Sequence, residues 1–310
     1  MTAILGGLGA ALAFAIATVC SARSSRLIGA APVLGWVMLI GLAITIPLLV
    51  VAGPVHIPAA ILPWLAISGA ANVLGLLAVY RALRSGKVGI VTPIVATEGA
   101  VAAVIAVIAG EHLTVAVTVT LAIIAAGIVA ATAAGAQSVS PAPATAPVSA
   151  RARRRRAPVA PPMAETLPGS RLGRRAATLY AAVGAVSFGV SLFATAQVGA
   201  ALPVAWAVLP ARAVGVCALA IPLAATGRLR LTRATAPLVL AAAIAEVAGF
   251  ASFAAGASGG VAVSSVLTSQ FAPIAGLGGY LFFGERLTRR QLLAAAVIMV
   301  GVGVLAALPR

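Results

Sequence analysis

Three ionisable side chains fall deep inside apolar stretches of this chain: Glu98, Arg212 and Glu246. Placing such a group at the centre of a bilayer costs about 2.5 to 3.5 kcal/mol on insertion scales, so each should face a polar cavity or a partner. Glu246 is followed at helical spacing by Gly249, Phe250 and Phe253. A carboxylate there could take a proton while desolvated and release it when a cavity opens to water, or hold a cationic group on a solute. It could equally form a permanent ion pair with Arg212 that locks two helices. The two readings overlap, because a pair that lines a cavity can be opened by a solute. Glu98 lies in Thr97-Glu98-Gly99, beyond Pro93, either in the same site or bonded to a nearby hydroxyl or carbonyl. Asn72, Gln197 and Gln270 are uncharged candidates for pocket lining. Ser265, Thr268 and Ser269 surround Gln270, although Ser and Thr also satisfy their own helix backbone.

The residues that are missing restrict the chemistry further. The chain has no Asp and only five Glu, at 98, 111, 165, 246 and 285. An Asp-rich magnesium diphosphate site is therefore impossible, and His56 and His112 form no metal cluster with Cys20 and Cys217. No Ser-His-acid set is readable. The expectation is a protein that is not an enzyme and holds neither metal nor cofactor.

The elements carrying these side chains are membrane helices. The 310 residues are 62% hydrophobic and 8% charged, with a mean hydropathy of +1.14, whereas soluble domains carry about 25% charged residues. About 20 apolar residues span the hydrocarbon core as a helix. Ten such segments are predicted, near 2–20, 31–51, 59–80, 88–109, 114–134, 176–199, 204–225, 235–256, 261–283 and 289–308. The net charge of +16 does not signal nucleic acid, because 19 of the 21 basic residues fall in the odd-numbered connections or at the segment ends that border them. By the positive-inside rule those connections face the cytoplasm and both termini face outward, in a multi-pass protein of the plasma (inner) membrane. Residues 1–5 lack Lys and Arg, and bases follow the first segment, which is the wrong order for a cleaved signal. Cys20 and Cys217 read as unpaired packing residues. Trp36 and Trp206, near segment ends, read as interfacial anchors or as an aromatic wall of a cavity.

The segments repeat. Gly110-Glu111-His112-Leu113-Thr114 returns 174 residues later as Gly284-Glu285-Arg286-Leu287-Thr288. The same offset carries Phe14 to Phe188, Gly41 to Gly215, Gly75 to Gly249, Gly86 to Gly260 and Gly127 to Gly301. The expected organisation is a first repeat at 1–134, a Pro- and Arg-rich linker at 135–175 and a second repeat at 176–310, the two repeats packing against each other. Five spans per repeat make this an inverted-topology pair in an all-α membrane protein. Thr288 with Gln291 reads as a capping box for the tenth helix, and Glu285 precedes that N-terminus, where the helix dipole favours an anion. Glu111 stands in the same place before the fifth helix, with Thr114 but no side-chain partner at Val117. Both Glu residues are assigned to the scaffold. The informative positions are the mismatches, Asn72 against Glu246 and Met38 against Arg212. The linker cannot bury a core, and its run Arg151 to Arg156 reads as a cytoplasmic tether or as a contact for anionic lipid.

Two five-helix halves, each closing with Gly-Glu-x-Leu-Thr and an apolar helix with a central Gly, resemble the EamA family of the drug/metabolite transporter superfamily. Val261 to Ala307 carries the strongest match, with Pro273, Gly284 to Gln291 and Gly301-Val302-Gly303. The first half departs from it in having Glu98-Gly99 where the second has Ala272-Pro273. The resemblance implies a ten-helix transporter with a central cavity, moving small metabolites, amino acids or drugs by alternating access. It brings no shared substrate residue, so Glu246, Glu98, Arg212, Asn72, Gln270 and Gln197 rest on physical argument. The leading expectation is export, with proton coupling as an option. The alternatives are an importer of the same solutes and a non-transporting sensor or assembly subunit.

Overall fold

A computed structural model describes residues 1–85, 91, 94–138, 171–275 and 289–308. Glu285, Thr288, Gly86, Pro93, Glu165 and the Arg151 to Arg156 run lie outside the described residues, as does the side chain of Gln291. Among the described residues the regular elements are helical throughout. In order they are α1 (Thr2–Ile28), α2 (Ala30–Ala52), α3 (Leu62–Ser85), α4 (Glu98–Ile108), α5 (Val115–Ser138), α6 (Arg171–Ala201), α7 (Val204–Ala225), α8 (Ala236–Ala257), α9 (Val261–Thr268) and α10 (Arg289–Ala307). Six of them, α1, α2, α3, α6, α7 and α8, contain stretches long and apolar enough to cross a membrane. Helix is the expected state for such segments, since hydrocarbon offers backbone groups no partner outside their own ladder.

The distribution of polarity is that of a protein dissolved in lipid. Val51 is 86% exposed, Val115 and Ile108 are 81% exposed, and Arg212 is fully buried. Buried hydroxyls turn back on their own helices: Thr45 Oγ1 donates to the Gly41 carbonyl at 2.7 Å and Thr120 Oγ1 to the Ala116 carbonyl at 2.7 Å. A π turn at Val216–Ala220 interrupts α7 just before Pro222. Proline supplies no N–H to the ladder, so the register changes where it costs least.

The repeats interlock. The most extensive helix pairings join α1 to α8 and α3 to α6, each crossing from one repeat to the other. The two contacts are reciprocal under the 174-residue offset. A Cβ at Gly249 would lie 2.5 Å from Phe14 Cε1, and one at Gly75 would lie 2.7 Å from Phe188 Cδ1. Each phenylalanine therefore packs on the glycine of the other repeat, at a distance only a missing side chain permits. Equivalent helices also meet, as α2 with α7, α4 with α9, and α5 with α10.

Candidate functional site

Arg212 sits at mid-span on α7 with none of its surface exposed. Its Nη1 donates to Glu246 Oε2 on α8 and forms an ion pair there, and the same nitrogen reaches Met38 Sδ on α2 at 3.4 Å. The Phe250 ring covers one face of the guanidinium, 5.1 Å from Cζ to centroid, one turn after Glu246. Phe14 of α1 stands edge-on to Phe250 at 5.2 Å and to Phe271 at 6.4 Å, which ties the pair to the region around Gln270.

The arginine fits because of Gly41. A Cβ there would lie 2.9 Å from Arg212 Cδ, while one at Gly215 would lie 2.6 Å from Met38 Sδ. These are the same contact twice, since Gly41 and Gly215, like Met38 and Arg212, are 174 residues apart. Two residues made equivalent by the offset thus touch each other, and the sequence copies differ at that contact, with a thioether on one side and a cation on the other.

The pair does not use all of the arginine. Nε and Nη2 are buried and have no hydrogen-bond partner among the described residues. The Glu246 side chain retains 23% exposure. A buried, charge-carrying fork with an unpartnered edge can bind a planar anion once reached, and a partly exposed carboxylate beside it can accept a cation or a proton.

The remaining candidates are distributed more widely. Asn72 is buried on α3 and Gln270 after α9, and neither Asn72 Oδ1 nor Gln270 Nε2 has a hydrogen-bond partner among the described residues. Glu98 is buried in the first turn of α4, and Gln197 is half-buried on α6. Among the described residues no hydrogen bond or ion pair joins any of these four to Arg212 or Glu246. The hydroxyls near Gln270 belong largely to the scaffold. Ser265 Oγ and Thr268 Oγ1 each donate to a carbonyl one turn back at 2.8 Å, and Ser269 Oγ accepts the Gly99 N–H at 2.9 Å. Trp36 and Trp206 are half-buried against apolar neighbours, and their Nε1 atoms have no partner among the described residues.

Glu111 serves a helix other than the one it precedes in sequence. Its carboxylate accepts the N–H groups of Val261 and Ala262, both at 3.1 Å to Oε2, and so caps α9 in the other repeat rather than α5. α5 is closed by Thr114, whose Oγ1 accepts the Val117 N–H at 3.3 Å. A second polar cluster escaped the sequence reading. Ser68 and Thr195 share a hydrogen bond of 2.8 Å, and Ser191 Oγ donates to the Ser68 carbonyl at 2.9 Å. The mismatch rule would have found it, because the offset places Ser68 against Ala242 and Ser191 against Ala17.

Residues 1–133 match the model of the EamA-like transporter family. No curated protein matches the chain. A solved structure described as a crystal structure of a protein shares the fold with a TM-score of 0.73 at 16% identity, over 100% of this chain and 99% of that one.

Proposed function

We propose that this chain, whose residues 1–133 match the model of the EamA-like transporter family, exports a small metabolite, amino acid or drug by alternating access. The transporter has ten spans as two inverted five-helix repeats in the plasma membrane. The reciprocal packing of α1 on α8 and α3 on α6 supports the duplicated architecture. The observation that carries the site is the Arg212–Glu246 pair: two charges inside a lipid-facing bundle, at a contact between the repeats, where the duplicated sequence diverges. Solute reaches the site when the helices that enclose the pair separate, and their closure in the empty protein returns the site to the closed state.

Glu246 couples this cycle to protons. Glu246→Gln is expected to insert normally and to lose flux driven by a pH gradient in reconstituted vesicles. Gradient-driven flux that persists unchanged in the variant removes Glu246 from the coupling. The orientation follows the basic residues, with the linker inside and Arg310 outside. Reporter fusions at residues 155 and 310 are expected to give cytoplasmic and extracytoplasmic signals respectively, and the reverse pattern would invert the protein.

A further inference from the structure

Arginine presents five donors in a planar fork, and among the described residues only one of its nitrogens is engaged. Glu246 and Met38 both meet Nη1, and Phe250 covers one face. The Nε and Nη2 edge remains, with parallel N–H groups spaced to match the two oxygens of a carboxylate. Charged donors left without partners in such an interior are costly. The fold has no need of that cost, since the equivalent position in the other repeat is Met38 and the equivalent of Glu246 is Asn72. A cation confined to one repeat, admitted by Gly41 and half used, is consistent with a ligand.

We propose that the Nε and Nη2 edge of Arg212 is the docking point for a carboxylate on the transported solute. The proposal rests on the transport reading above and narrows its solute class. Glu246 stays on Nη1 as counter-ion. Its other oxygen, Oε1, makes no hydrogen bond among the described residues. A plain monocarboxylate would add a net negative charge beside Glu246, whereas a solute that also carries an ammonium group leaves the closed site neutral. With the guanidinium wholly enclosed, the edge becomes reachable only when the helices around it separate.

Three isosteric probes separate the charges: leucine, 4-methylpentanoate with the carboxylate alone, and 3-methylbutylamine with the ammonium alone. Their binding to the purified full chain in nanodiscs is read by tryptophan fluorescence or calorimetry, and their flux in proteoliposomes. Leucine is expected to bind best, 4-methylpentanoate next, and the amine without saturation. Arg212→Lys should weaken both carboxylates by about thirtyfold or more, because a point charge cannot replace a bidentate fork. Glu246→Gln should tighten 4-methylpentanoate while weakening leucine, a reversal that simple misfolding does not produce. In Arg212→Met/Glu246→Asn, which restores the residue types of the other repeat, carboxylate binding should vanish while the melting transition remains. Amine binding equal to that of the carboxylates overturns the proposal. So does carboxylate binding that survives in the folded double variant, or an absence of saturable binding by either carboxylate. Flux of amines or neutral solutes would leave the transport reading standing, whereas a folded protein that moves no solute would remove that reading instead.

Discussion

Arg212→Met alone is expected to lower the stability of the protein by about 3 kcal/mol, the lower end of the cost of breaking a buried pair, since Glu246 keeps some exposure. The arginine is the largest fully buried side chain among the described residues, and its removal leaves a carboxylate without its cation and Phe250 without the group stacked on its face. Adding Glu246→Asn should recover most of that loss, to within about 1 kcal/mol of the parent protein, because replacing both members of a buried pair is often neutral. Transport should be absent in both variants. Reversible unfolding in bicelles measures the first quantity and vesicle flux the second. If the single variant proves as stable as the double, the pair contributes nothing to the folded state, and Arg212 is held only by its helix.

A second large effect is expected where α1 crosses α8. A Cβ at Gly6 would lie 2.3 Å from Gly256 Cα and 2.6 Å from the Ser252 carbonyl oxygen, so its neighbours are backbone atoms that cannot turn aside. Gly6→Val should exceed the about 1 to 3 kcal/mol usual for overpacking and leave little folded protein after extraction. Gly9→Ala on the same helix is the control. Its Cβ would meet only the Ser252 side chain, Oγ at 3.4 Å and Cβ at 3.5 Å, and its thermal midpoint should stay within a few degrees of the parent. Equal midpoints for the two variants would mean that the backbones do not touch at Gly6.

Single positions were more legible in this sequence than helix partners. The mismatch of Arg212 with Met38 and of Glu246 with Asn72 led to a buried ion pair, because an intramembrane charge has few ways to be tolerated. The partner of α1 was not readable. In lipid the outward face is as apolar as the inward one, as Leu5, Leu12 and Ile16 illustrate, so periodicity does not mark which side meets protein. Glu111 shows the same limit from another direction. A carboxylate next to a helix N-terminus reads as a cap for that helix, and a donor pair at Val261 and Ala262, 150 residues away in sequence, leaves no local trace. The hydroxyls around Gln270 suggested a polar lining, yet two of them donate to carbonyls of their own helix, a choice composition does not reveal.

The exchange of α1 and α3 for α8 and α6 governs how this protein must be made. α1 ends at Ile28 and its principal partner begins at Ala236, so a ribosome adding about 5 to 20 residues per second leaves α1 in the bilayer for about 10 to 40 s before that surface exists. The glycine faces of the early helices spend that interval against lipid or against chaperoning insertion machinery. Assembly is therefore a late event, deferred until most of the chain has been synthesised, and a truncated first repeat would lack the surfaces it was shaped to meet.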